Sequence, residues 1–291
     1  EKVLPQVKKN ILLKNHTTFK IGGRAKYFFE AKRKEDLIRA TFLAKKLKLP
    51  YFILGGGSNV LVSDKGFEGI VIKVENKNLS VLNSEIYAEA GVKLAKIVNV
   101  AAENSLSGFE FLVGIPGTVG GAIFGNCGAF GKSIGDLIKE VEIFDLKSNC
   151  LKVLKKRDCA FSYRDSIFKK NKNLIILSAI FKLKRKKKDE ILKKMKENLK
   201  EKIKSQPLNF PSAGCIFKNP GKISAGKLIE MANLKGKKIG GAKISEKHAN
   251  FILNFKKAKA KDVRRLIRFI KQKVKKKFGI VLEEEICHFG F

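Results

Sequence analysis

The stretch from Phe111 to Gly131 contains no charged residue, yet it holds seven glycines and a proline. It is long enough to cross a bilayer as a helix. A membrane span, however, is built mostly of bulky apolar side chains, so this segment reads as a glycine-rich loop system. A chain with this much side-chain-free backbone needs ordinary cores around it. The remainder supplies them: 44% of the 291 residues are hydrophobic, which predicts two or three compact units of mixed helix and strand. The 25 glycines sit in distinct motifs, which excludes a low-complexity polymer.

The formal net charge of +35 is compatible with a nucleic-acid or membrane-surface binder. It also suits small polyanions such as nucleotides. The lysines crowd helical faces such as Lys193–Lys204 and Lys271–Lys277, with the densest run at Lys184–Lys188. No RNA-recognition aromatic motif, zinc-finger spacing or basic-zipper heptad accompanies them. The reading is therefore a lysine-rich background and a nucleotide-sized anionic ligand, with no nucleic-acid partner. The five cysteines, at 127, 150, 159, 215 and 287, form no C-x-x-C pair, which points to a reducing cytosol and gives no zinc site. The opening EKVLPQVKKN lacks the apolar core of a signal peptide, and no membrane segment is expected.

Along the chain, KYFFEAK (26–32) reads as a strand and 34–49 as a helix stopped by Pro50. YFIL, GGGSN and VLVS form strand, turn and strand. GIVIKV, IYAEAG, KEVEIFD and LIILSAIFKLK are further strands, and 93–104 is helical. Beyond residues 184–190 the texture changes to a lysine-rich helix (188–204), a shorter helix in AGKLIEMANL, a strand in NFILNF and a long amphipathic helix ending near Gly279. The last stretch, IVLEEEICHFGF, is extended. The expected domains are 1–185, with subdomains of roughly 1–75 and 76–185, and 190–291; there are no internal repeats.

Several motifs bear on chemistry. GGGSN (55–59) lets backbone N–H groups approach an oxyanion, although a tight turn would also account for it. It lacks the Rossmann spacing. Gly131-Lys132-Ser133 imitates the end of a P-loop, but Asn126 stands where that motif requires glycine. Close packing would call for one or two glycines in the second tract, not seven, so the tract is expected to lie along an extended diphosphate-containing cofactor. FSYRDS (161–166) carries Arg164, which is either a surface residue or a carboxylate grip. In VLEEEICHFG, strand alternation puts Glu283 and Glu285 on one face and Glu284 on the other. His16, His248 and His288 are too scattered for a metal site; His248 suits hydrogen bonding or ligand contact better than general base work. In PSAGCIFKNP (211–220), small and turn-forming residues flank Cys215, which is either buried filler or a proton-handling thiol.

Taken in order, HTTFKIGG (16–23), LGGGSNVLV (54–62), IPGTVGGAIFGNCGA (115–129), YRDSIF (163–168), QPLNFPSAGCIFKNP (206–220), AGKLIEMANLKG (225–236), GGAKISEKHANFILN (240–254) and LEEEI (282–286) resemble the UDP-N-acetylenolpyruvoylglucosamine reductases of peptidoglycan synthesis, the MurB family. The likeness spans nearly the whole chain. It implies an α+β protein, with an FAD-binding region of the p-cresol-methylhydroxylase type in two α+β subdomains. A smaller α+β substrate domain would follow, whose last strand (about 280–291) returns to the active site. It further implies that NADPH reduces the flavin and leaves, and that the UDP-linked enolpyruvyl ether then takes a hydride at its methylene carbon and a proton at the neighbouring carbon.

By resemblance, Arg164 would hold the substrate carboxylate. Glu285, with a pKa raised by burial, would polarise or relay a proton on the same group, and Cys215 would be the proton donor. Gly55, Gly56, Gly57, Ser58 and Asn59 would line FAD, together with Ile115, Pro116, Gly117, Gly120, Gly121, Asn126, Gly128 and Ala129. Tyr163, Asn219 and His248 match substrate-contacting positions; for the diphosphate Lys202 and Lys204 both qualify, and Lys204 is carried forward. The short connection after YRDSIFKK leaves no room for an extra tyrosine-bearing substrate loop, which marks the shorter type. A cytoplasmic monomer acting in cell-wall biogenesis, cell shape and division is implied. The rival readings are another FAD oxidoreductase of the same fold and a basic nucleic-acid-binding protein.

Overall fold

The computed structural model describes residues 4–291, so part of the N-terminal reading, residues 1–3, lies outside it. The chain packs as two compact units. The first comprises Phe29–Gly56 and Val71–Lys202 with residues 4–7; the second comprises Lys8–Phe28, Gly57–Ile70 and Ile203–Phe291. The units do not follow the expected linear split at 185–190. The strands Arg24–Ala31 and Phe67–Val74 each run from one unit into the other, and the lysine-rich helix does the same at Lys202–Ile203.

In the first unit, five antiparallel strands lie in the order Cys150–Lys155, Ile138–Asp145, Leu174–Lys182, Glu85–Glu89 and Leu79–Leu82. Their alternation is what the sequence pattern asks of a half-buried sheet: Val141 and Ile143 are fully buried, whereas Lys139 and Glu140 are not. Helices α1 (Lys34–Lys46), α2 (Leu94–Glu103), α3 (Val119–Phe124) and α4 (Ile167–Lys170) also belong to this unit. Leu37, Ala40 and Ala44 of α1 are buried at helical spacing, as are Leu94, Ile97, Val98 and Ala101 of α2. Helix α5 (Lys188–Ser205) ends the unit.

In the second unit, four antiparallel strands lie in the order Ser212–Cys215, Phe251–Asn254, Ala242–Ile244 and Lys238–Ile239. Helices α6 (Ala225–Met231) and α7 (Ala260–Phe278) contribute to its core. Val263, Leu266, Ile267, Ile270 and Val274 of α7 are all essentially inaccessible, each contributing about 1.5–3 kcal/mol of burial. The Asp64 carboxylate accepts the N–H groups of Ala260 (2.8 Å) and Lys261 (3.1 Å) and so caps α7. Gly279, at φ +71°, ends the helix. Of the extended tail only Cys287–Phe289 is a strand; it pairs parallel with Val60–Val62.

The sequence pattern missed α3, inside the glycine tract. Thr118 explains it: its side chain accepts from Gly121 N (3.4 Å) and caps a helix that two adjacent glycines would otherwise disfavour. Val119 N and Gly120 N donate to Val92 O and Ala90 O, both at 2.8 Å.

Candidate functional site

The first unit brings the two glycine tracts into backbone contact. A Cβ on Gly55 would stand 2.6 Å from Thr118 Oγ1, and one on Gly56 would stand 2.6 Å from Gly117 Cα. Neither position admits a side chain. Further along, a Cβ on Gly120 would meet Ala90 Cβ at 2.8 Å, and one on Gly128 would meet Lys132 O at 2.4 Å. Within the second tract these close approaches account for Gly120 and Gly128, in keeping with the one or two allowed from sequence. Gly121, Gly125 and Gly131 remain without tight neighbours: the nearest atom to a Gly121 Cβ is 3.5 Å away, that to a Gly125 Cβ is 3.6 Å away, and Gly131 has nothing within 4 Å. The Lys73 ammonium donates to Gly55 O, and burial lowers its pKa. A face of packed peptide groups with a lysine on it fits an extended dinucleotide such as FAD, whose diphosphate would meet N–H groups rather than side chains.

Asn126, from the same tract, braces the turn that carries Arg164. Its Nδ2 donates to Ser162 O (2.7 Å), and its Oδ1 accepts from Gly135 N (3.0 Å). Both ends of the amide are thus held by protein. Ser162 and Asp165 exchange backbone hydrogen bonds of 3.1 and 3.2 Å across Tyr163 and Arg164. Ser166 Oγ donates to Phe124 O (2.7 Å), and Arg164 Nη2 donates to Gly128 O (2.8 Å). Arg164 sits at φ +56°, a conformation that costs a non-glycine residue free energy and survives because these bonds over-determine it. The guanidinium lies 5.5 Å from the exposed Tyr163 ring.

In the second unit, Gly57, Cys215, Asn219, His248 and Glu285 lie on one hydrogen-bonded framework. The strand Ser212–Cys215 shifts register against Phe251–Asn254 between its two ends, with Gly214 at φ +76°. This bulge re-aims Cys215, which the sequence placed in a plain loop. Just beyond it, Ile216 N donates to Asn250 O (2.8 Å), Phe217 N to Asn250 Oδ1 (2.9 Å), and Asn250 Nδ2 to Phe217 O (2.8 Å). Glu285 N donates to Ile216 O (2.8 Å), which brings Glu285 beside the residue following Cys215. Asn59 Nδ2 donates to Glu285 O (3.2 Å), and Asn59 O accepts from Cys287 N (3.1 Å).

Two ionic groups lie along this framework. Glu283 pairs with Lys218 (2.6 Å). Glu284 lies between His288 (2.8 Å) and Lys271 (2.9 Å), which hold its carboxyl down to about 2. Glu283 and Glu284 are therefore both committed to ion pairs. His248 Nδ1 accepts from Asn250 N (3.3 Å), and burial keeps the ring below the ordinary histidine range, so it is neutral at pH 7. Asn219 Oδ1 accepts from Ala225 N (3.0 Å) at the start of α6. Asn250 was missed from sequence; nothing but its place beside His248 could have signalled it.

Lys202 and Lys204 differ sharply. Lys204 is exposed, whereas Lys202 is 4% accessible and its ammonium donates to Phe111 O (3.1 Å) and Val113 O (2.6 Å), beside the Phe130 ring. Lys202 thus ties α5 to the glycine tract. Burial lowers its pKa to about 8. Between that value and the ordinary lysine range the unfolded chain holds the proton that the folded one has released, so stability rises with pH there. Urea titrations should show the wild type gaining on the order of 1–2 kcal/mol relative to Lys202→Met between pH 8 and 10, after allowance for solvent screening. Parallel curves for the two proteins would refute the assignment.

Two families match the chain. FAD binding domain covers residues 25–153, and the C-terminal domain of UDP-N-acetylenolpyruvoylglucosamine reductase covers residues 206–289. The UDP-N-acetylenolpyruvoylglucosamine reductase of Caldanaerobacter subterraneus is 46% identical over 279 residues, which is 96% of this chain and 92% of that protein. The reductase of the same name from Caldicellulosiruptor saccharolyticus is 44% identical over 293 residues, with 100% and 94% covered. Among solved structures, the crystal structure of UDP-N-acetylenolpyruvylglucosamine reductase (MurB) from Thermus caldophilus superposes with a TM-score of 0.84 at 37% identity, covering 97% of this chain and 98% of that one.

Proposed function

The chain belongs to the UDP-N-acetylenolpyruvoylglucosamine reductase family, and from that membership we propose that it is an FAD- and NADPH-dependent reductase of peptidoglycan precursor synthesis. Its reaction converts the enolpyruvyl ether of UDP-N-acetylglucosamine into the lactyl ether of UDP-N-acetylmuramate. The observation that carries this reading is that both halves of the reductase, the FAD-binding and the C-terminal domain, match in order over one chain of matching length.

FAD, when bound, supplies to the substrate methylene carbon the hydride that NADPH delivered to it. The chain supplies the rest. Gly55–Asn59 and the tract from Ile115 to Ala129 present backbone to the cofactor. Arg164 grips the substrate carboxylate and stabilises the negative charge that builds on it and on the α-carbon. Tyr163, beside Arg164, contacts the substrate. Cys215 gives its proton to the α-carbon, completing the saturated ether, and Glu285 shares a proton with the carboxylate while that charge exists. Asn219, neutral His248 and the exposed Lys204 contact the UDP-sugar. By resemblance, the cofactor region runs to about residue 185 and the substrate domain from 190 to 291, with the tail from about 280 returning to the substrate, a functional division that the packing units do not follow.

Because UDP-linked precursors and NADPH are cytoplasmic metabolites, the enzyme works there, as a monomer without nucleic-acid partners, in support of cell shape and division. No described helix is long and apolar enough to cross a membrane. The test is direct. Purified protein should take up FAD and turn yellow, and should oxidise one NADPH per UDP-enolpyruvyl sugar reduced. Failure to take up FAD, or NADPH oxidation indifferent to the sugar, would overturn the proposal.

A further inference from the structure

The motif HTTFKIGG (16–23) is left without a role by the reaction, yet it is joined to both the glycine loop and the strand that carries Cys215. Thr18 N donates to Gly57 O (3.0 Å). Its hydroxyl lies 2.7 Å from Ser212 O and 3.4 Å from Gly57 O, and its single proton takes the shorter bond. Gly57 packs closely against this motif. It holds φ +66°, and a Cβ there would stand 2.2 Å from His16 O.

Ser212 is the last residue in register before the bulge, and Cys215 is the first after it. The downstream side of Cys215 is fixed by Asn250 through Ile216 and Phe217. On the upstream side, Ala213 and Gly214 have no register partner in the neighbouring strand, and Gly214 has nothing within 4 Å of where a Cβ would be. The loop Gly57–Asn59 is thus tied to both ends of the bulge, downstream through Asn59, Glu285 and Ile216 O, and upstream through Thr18 to Ser212 O. The same loop holds Glu285 through Asn59.

We propose that Thr18 is a positioning residue for proton delivery: its hydroxyl fixes the upstream end of the Cys215 bulge to the Gly57–Asn59 loop. This rests on the reading of Cys215 as proton donor and of the loop as part of the FAD site.

Thr18→Val, Thr18→Ser and Cys215→Ala, loaded with FAD, separate the possibilities. Thr18→Val keeps the side-chain shape and removes the hydroxyl, and with it the bond to Ser212 O. Reduction of its flavin by NADPH should keep the wild-type rate. Reoxidation by the UDP-enolpyruvyl sugar should slow about 10–100-fold, the scale of a displaced reacting group, with an enlarged solvent deuterium isotope effect. Thr18→Ser should restore both rate and isotope effect. A readout without turnover is alkylation of Cys215 followed by peptide mapping. Its rate should change about threefold or more in Thr18→Val while that of Cys150, in the other unit, stays constant. Wild-type reoxidation with an unchanged isotope effect would overturn the proposal, and so would equal slowing of both half-reactions or loss of FAD, which would make Thr18 merely structural. Wild-type reoxidation in Cys215→Ala would instead overturn the underlying donor assignment.

Discussion

Cys215→Ala is expected to bleach its flavin with NADPH at the wild-type rate and then to stall, with reoxidation by the UDP-enolpyruvyl sugar slowed about 10²–10⁴-fold, the range of a positioned general acid. The two half-reactions separate because only the second consumes a proton at carbon. Anaerobic stopped-flow absorbance follows both in one sample. Cys215→Ser should retain most of the rate, since a hydroxyl presented by the same bulge at Gly214 can donate as well. The pair also distinguishes the donor by pH. A thiol ordinarily ionises near about 8.5, whereas a serine stays protonated, so the alkaline limb of the cysteine enzyme should fall first. Superimposable limbs, or normal turnover in the alanine variant, would remove Cys215 from the reaction.

How far this site was legible from sequence depends on the kind of signal. Period 2 and period 3.6 located the main sheets and helices, because burial of one face leaves a direct trace in residue type, as in Val263, Leu266, Ile267 and Ile270 of α7. The units could not be read the same way. Arg24–Ala31 and Phe67–Val74 pass from one to the other mid-strand, and a strand crossing a boundary has no compositional mark. The glycines were read as a surface for a ligand, and several turn out to be surfaces for one another: Gly55 against Thr118 and Gly56 against Gly117. Spacing along one tract carries no information about what the other presses against it. The named site residues, Asn126 among them, came from ordered resemblance, while Asn250 and Thr18 brace their segments through main-chain atoms remote in sequence and left no periodic or compositional signal.

Arg164 yields the second large effect, and it divides function from stability. Arg164→Lys retains a positive charge but loses the planar fork that matches a carboxylate and the bond from Nη2 to Gly128 O. Removing a donor aimed at developing negative charge costs about 2.7–4 kcal/mol, so reoxidation by substrate should fall about 10²–10³-fold while reduction by NADPH is spared. Arg164→Gly should be at least as inactive, but its backbone consequence is opposite. The residue sits at φ +56°, which glycine adopts without penalty and alanine does not. Urea denaturation should therefore find Arg164→Gly more stable than Arg164→Ala by about 0.5–1 kcal/mol, although both are inactive. That difference would measure the conformational cost the turn bears to present this side chain beside the glycine tract. Equal stabilities would show that Ser162, Asp165 and Asn126 relax the turn when the guanidinium is gone, and activity retained in Arg164→Lys would show that charge alone suffices there.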